Sequence, residues 1–76
     1  MDEEGRGLPS LIKEMRRQLA LSQEDLARLL KVSYATVNRW ENGLSKPSKL
    51  AKAQLVAFCE KMTKRGKLVL PEGQRP

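Results

Sequence analysis

Between residues 23 and 42, two short stretches of helical periodicity are separated only by Lys31, Val32 and Ser33. Leu26, Ala27, Leu29 and Leu30 recur on one face of the first, and Val37 and Trp40 on one face of the second. So short a connection forces a tight corner between two helices. The local chemistry agrees with that corner. Ser22 and Ser33 are good N-cap residues, and Glu24 and Asp25 put acids in a first turn, where the helix dipole favours them. Asn42 and Gly43 close the second stretch with the two residue types that best tolerate a left-handed backbone. Ala27 is small enough for the helices to approach closely, and Val32 fills the inside of the turn. Leu26, Leu30, Val37 and Trp40 close the core beneath.

The flanking chain completes an all-α architecture. Residues 1–8 show no apolar periodicity and read as a flexible N-terminal arm. Helical spacing starts at Pro9, a residue suited to a first turn because its missing N–H would be unpaired there anyway. Leu11, Ile12, Met15 and Leu19 then share a face, and this first helix ends near Ala20. Residues 44–47 form a loop. Ser48 caps a further helix with Leu50, Leu55, Phe58, Cys59 and Met62 as its apolar stripe, fading by residues 65 and 66. The expected fold is a compact bundle of four helices, or five if the last one is broken, over residues 9–65. In the C-terminal tail, residues 66–76, the run Leu68, Val69 and Leu70 reads equally as a strand-like segment packed on the domain, one packed on a partner chain, or a disordered end.

Composition narrows the function. A chain of 76 residues accommodates one domain. Its lone Cys59 can close no internal disulfide, and without histidine there is no Cys/His cluster for zinc, so neither metal nor cofactor is expected. The net charge is +6, and it is uneven. Asp2, Glu3 and Glu4 crowd acids into the start, whereas Arg39, Lys46, Lys49, Lys52, Lys61, Lys64, Arg65 and Lys67 dominate the second half. A basic half suits a polyanionic partner. Membrane binding is disfavoured, because no apolar run approaches the ~20 residues of a span and the last helix needs its stripe for the core. Nor does any stretch resemble a secretory signal, which leads to a cytoplasmic, nucleoid-associated placement. Catalysis is disfavoured too. There is no glycine-rich phosphate loop and no carboxylate cluster, and the adjacent Glu24 and Asp25 diverge on a helix.

The string Leu21-Ser22-Gln23-Glu24-Asp25-Leu26-Ala27, followed by Val32-Ser33, Val37, Arg39-Trp40-Glu41-Asn42-Gly43 and Pro47, resembles the helix-turn-helix of lambda-type phage repressors and Cro proteins, the XRE family. The resemblance covers roughly residues 10–62. Two positions depart from it: Lys31 stands where the family usually has a glycine in the turn, and Ala20 where it often ends the first helix with glycine. A non-glycine residue in a left-handed conformation costs on the order of 1 kcal/mol, which is tolerable.

The resemblance implies roles for particular side chains. Tyr34, Ala35, Asn38 and Arg39, with Thr36 at the margin, stand against base edges in the major groove. The chemistry suits them: Arg39 for guanine O6 and N7, Asn38 for adenine, the Ala35 methyl for a thymine methyl. Gln23, Ser33, Asn42 and Lys46 fall to phosphate contacts. Lys49 and Lys52 join them on separate grounds, since two lysines in the first turns of a helix oppose its dipole, and such breaches of a local rule tend to fall at functional sites. Arg16 and Glu41 match an ion pair that orients the third helix. These assignments point to sequence-specific binding of double-stranded DNA by a prokaryotic or phage transcriptional regulator acting as a homodimer. The competing expectation is a protein-interaction module, an antitoxin or adaptor that engages a partner through its C-terminal tail.

Overall fold

The computed structural model describes residues 3–70, with the side chains described from Gly7 onward. Four helices follow in order: α1 (Glu3–Leu19), α2 (Gln23–Leu30), α3 (Tyr34–Glu41) and α4 (Lys49–Lys64). No strand occurs among the described residues. The all-α bundle with a tight α2–α3 corner is therefore the fold, and α4 runs unbroken. α3 packs on both α1 and α2, and α4 packs on α2.

Helix starts follow the serine caps. The Ser22 hydroxyl accepts the Asp25 N–H, and the Asp25 carboxylate accepts the Ser22 N–H in return, a reciprocal capping box. Ser33 accepts from Thr36 N–H and Ser48 from Ala51 N–H. All four helix ends use one device, a left-handed residue whose N–H and that of its successor turn back onto the last carbonyls. At α2, Lys31 (φ 61°) donates to Arg28 O and Val32 to Ala27 O. Ala20 (φ 57°) and Leu21 do the same for α1, Gly43 and Leu44 for α3, and Gly66 and Lys67 for α4. Two of the four left-handed positions thus carry a Cβ.

The core is built from Leu11, Ile12 and Met15 of α1, Leu26, Ala27 and Leu30 of α2, Val37 and Trp40 of α3, and Leu55 and Cys59 of α4. Burial pushes the Cys59 thiol up to about 11, with a smaller push from the charge of Glu60, so it packs as an apolar group. The tail completes the core. Leu68 and Leu70 are buried while Val69 faces outward, the alternation of an extended segment. The Gln18 side chain clamps that segment: Oε1 accepts the Val69 N–H at 2.8 Å and Nε2 donates to the Val69 carbonyl at 2.9 Å. Of the packings open to the tail, residues 68 and 70 take the one on their own domain. Residues 71–76 lie outside the described residues.

Three expectations are corrected. α1 begins at Glu3 rather than Pro9, so residues 3–8 of the expected arm are helical. Met1 and Asp2 lie outside the described residues. Pro9 sits inside the helix, at the loss of one backbone hydrogen bond. The preceding turn is anchored by Leu8 against the core, and Pro9 lies near Gly43, where an added Cβ would meet its Cγ at 3.9 Å. Leu29 and Leu50 are exposed, at 51% and 72%, rather than buried. The inward stripe of α2 is Leu26, Ala27 and Leu30, which leaves Leu29 beyond its flank. Leu50 points away from the Ala51, Leu55, Phe58, Cys59 and Met62 stripe of α4.

Lys31→Gly relieves a left-handed Cβ at an exposed position while adding freedom to the unfolded chain. The balance should raise stability by about 0.5–1 kcal/mol, read as a higher urea midpoint at unchanged slope. A lower midpoint would contradict the role given to this turn.

Candidate nucleic-acid interface

The corner at Lys31, Val32 and Ser33 determines which side of α3 is free. Val37, Trp40 and Glu41 turn inward, so the opposite side presents Tyr34, Ala35 and Arg39 as exposed residues, with Thr36 and Asn38 half-buried. Residues 34, 35, 38 and 39 share one helix face by their spacing. The Arg39 guanidinium has no hydrogen-bond or ion-pair partner among the described residues. The Thr36 hydroxyl, by contrast, lies 2.8 Å from that of Ser33. The expected readers therefore share one surface, although not all of them are unengaged.

Behind this surface lies a charged anchor. Glu41 is buried, with 5% of its surface exposed, and it is the last residue of α3. Arg16 of α1 grips it with two hydrogen bonds, Nε to Oε2 at 2.5 Å and Nη2 to Oε1 at 3.0 Å. The same guanidinium donates through Nη1 to the Leu21 carbonyl at 3.2 Å, tying the end of α1 to the pair. Burial alone would raise the Glu41 carboxyl. The hydrogen bonds from Arg16 and Gln23 and the charges of Arg16 and Lys13 outweigh it and hold the group below its usual 4.5. The ion pair expected between Arg16 and Glu41 is present, and it spans α1 and α3.

A chain of amides leads outward from the anchor. Gln23, at the first position of α2, donates through Nε2 to Glu41 Oε1 at 3.0 Å. Asn38 donates through Nδ2 to Gln23 Oε1 at 3.3 Å. Asn42 donates through Nδ2 to Asn38 Oδ1 at 3.2 Å and to the Asn38 carbonyl at 2.8 Å. Gln23 and Asn42, both expected at phosphates, are thereby joined through Asn38, which was expected at a base. Asn38 and Asn42 are four residues apart on one helix. Neither periodicity nor capping signals the links of Gln23 to Asn38 and Glu41, 15 and 18 residues away.

Ser33, Asn42, Lys46, Lys49 and Lys52 are all exposed, and Gln23 is half-buried. α4 opens with Lys49 and carries no acid in its first turn. Two further ion pairs, Arg17 with Glu14 and Arg28 with Asp25, are short-range pairs within a helix. The first holds the half-buried Glu14 carboxyl down at about 2, helped by Gln18. No group of three or more His, Cys, Asp or Glu side chains suited to a metal occurs among the described residues. Nor, among them, is any helix long and apolar enough to cross a membrane.

A family model described as Helix-turn-helix matches residues 12–52. The chain belongs to the XRE-family helix-turn-helix proteins, the lambda repressor and Cro type. In this XRE-family domain the match runs from Ile12 in the middle of α1 to Lys52 in the first turn of α4. It thus contains the corner, the Arg16–Glu41 pair and the amide chain. The family is one of DNA-binding transcription regulators, and DNA is the partner it implies. No protein of established function and no solved structure matched the chain.

Because the folded carboxyl of Glu41 is depressed, its pairing stabilises the fold in full above about pH 4.5 and loses that contribution as pH falls through the lower folded value. Glu41→Gln should cost about 1–3 kcal/mol at neutral pH. The gap between wild type and variant should then close as unfolding is repeated at pH values falling progressively below 4.5. A gap independent of pH would show that the carboxylate charge contributes nothing.

Proposed function

We propose that this XRE-family domain is a sequence-specific transcriptional regulator of prokaryotic or phage origin. It places the outer face of α3 in the major groove of double-stranded DNA, in the cytoplasm. The observation that supports this best is the uncommitted Arg39 guanidinium on the same exposed face as Tyr34 and Ala35, with Val37 and Trp40 holding that face outward from the core. A planar fork of donors on an open helix face suits the O6 and N7 acceptors of guanine. The Ala35 methyl suits a thymine methyl, and Tyr34, at the helix entrance, suits a sugar or base edge. Thr36 flanks this set.

Phosphate contacts would fix the register on the duplex. Gln23 and Ser33 stand at helix N-termini, where free N–H groups and the dipole favour an anion. Asn42, Lys46, Lys49 and Lys52 extend the set past the end of α3. One domain reads only about four or five base pairs, so a symmetric homodimer on half-sites about one helical turn apart supplies the missing specificity. The antitoxin or adaptor alternative loses its main motive, because Leu68 and Leu70 are occupied in the domain's own core.

Selection from random duplexes should return one symmetric site. On that site Arg39→Ala should erase discrimination at one guanine, worth about 1–3 kcal/mol. Lys49→Gln and Lys52→Gln should weaken all duplexes alike and flatten the log–log salt dependence by about 0.9 per lysine contact. Binding by fluorescence anisotropy that ignores salt, or that survives Arg39→Ala with discrimination intact, would contradict these roles.

A further inference from the structure

We infer that Asn38 is a positioning residue that couples Gln23 to Asn42, and that it does not read a base. This deepens the DNA-binding reading and rests on it.

The polarity of the chain starts at Glu41. An ionised carboxylate only accepts hydrogen bonds, so the Gln23 side chain must turn its NH₂ group toward Glu41 and its Oε1 the other way. Oε1 then requires a donor, and Asn38 Nδ2 supplies it. That fixes the Asn38 amide in turn: its Oδ1 is the end that accepts from Asn42. Each amide orientation is dictated by the one before it, and the sequence ends in the carboxylate that Arg16 holds ionised.

Adenine readout by asparagine uses the same two atoms, Oδ1 accepting from N6 and Nδ2 donating to N7. To present both to a base, the Asn38 amide would have to leave Gln23 and Asn42. Gln23 Oε1 would lose the donor that Glu41 has aimed it at. Asn38 is also half-buried, whereas Tyr34, Ala35 and Arg39 on the same face are exposed. In place, Asn38 leaves Gln23 Nε2 with one N–H uncommitted beside the free backbone N–H groups of the α2 N-terminus, all donors suited to a phosphate. Selectivity then rests on Tyr34, Ala35 and Arg39.

The test combines spectra of the free protein with binding to the selected duplex and to duplexes altered one base pair at a time. In the free protein, Asn38→Ala should move the side-chain amide resonances of both Gln23 and Asn42. On DNA it should weaken the preferred and altered duplexes by one common factor, about two- to tenfold, the worth of a hydrogen bond. The preference at each base pair should be kept within about twofold. Gln23→Ala should cost less affinity in the Asn38→Ala background than in wild type, because the two act through one contact. Loss of about tenfold discrimination at a single base pair in Asn38→Ala would overturn the inference while leaving the DNA-binding reading intact. So would unmoved Gln23 and Asn42 resonances. A wild-type protein that selects no duplex would overturn the DNA-binding reading, and this inference with it.

Discussion

The carboxylate of Glu41 is the point on which the α2–α3 unit hangs. Its position is unfavourable on two counts: it is buried, and it ends a helix whose dipole is negative there. Only its partners make it tolerable. Arg16 supplies charge and two hydrogen bonds from α1, and Gln23 supplies a third from α2. A group that must be satisfied from two other helices admits few arrangements of the three. Removing one partner costs far more than the pair contributes against an apolar substitute, so such a contact specifies geometry more than it adds stability. What it specifies here is the angle at which α3 leaves the corner.

The remaining devices keep that angle in a chain with little core to spare. Hydroxyl caps and left-handed closures bind the helix ends, so the short α2 and α3 do not depend on propensity alone. Leu68 and Leu70 bring apolar area from beyond α4, and the Gln18 clamp satisfies the intervening backbone of Val69. A small domain gains proportionately from such an addition. On the outer side of α3 the polar side chains divide by what they touch. Arg39 is unengaged among the described residues, whereas Asn38 and Thr36 are already hydrogen-bonded to protein.

Much of this was legible in the residues. Ser22, Ser33 and Ser48 announce helix starts, because a hydroxyl before an apolar period has a specific use there. Lys31 and Ala20 could be placed at left-handed turns from the resemblance, as could the Arg16–Glu41 pair. What escaped was tertiary. Pro9 signals a first turn locally, and only the packing of Leu8 shows why the helix extends past it. Leu29 and Leu50 fit a helical stripe by spacing alone, yet which flank is covered depends on neighbours that periodicity does not see. Asn38 and Asn42 stand at helical i,i+4 spacing, but the Gln23–Asn38 link carries no local signal, because amides bond to whatever the fold brings near.

A double-mutant cycle between Arg16 and Glu41, read by urea unfolding at neutral pH, tests the central claim most directly. Arg16→Leu should destabilise by about 3–5 kcal/mol, since it strands the buried Glu41 charge, and Glu41→Leu by less, since Arg16 stays partly in water. The double variant should cost markedly less than their sum and keep the cooperative transition. Single costs below about 1 kcal/mol that simply add would mean that the pair is an incidental surface contact and that something else orients α3.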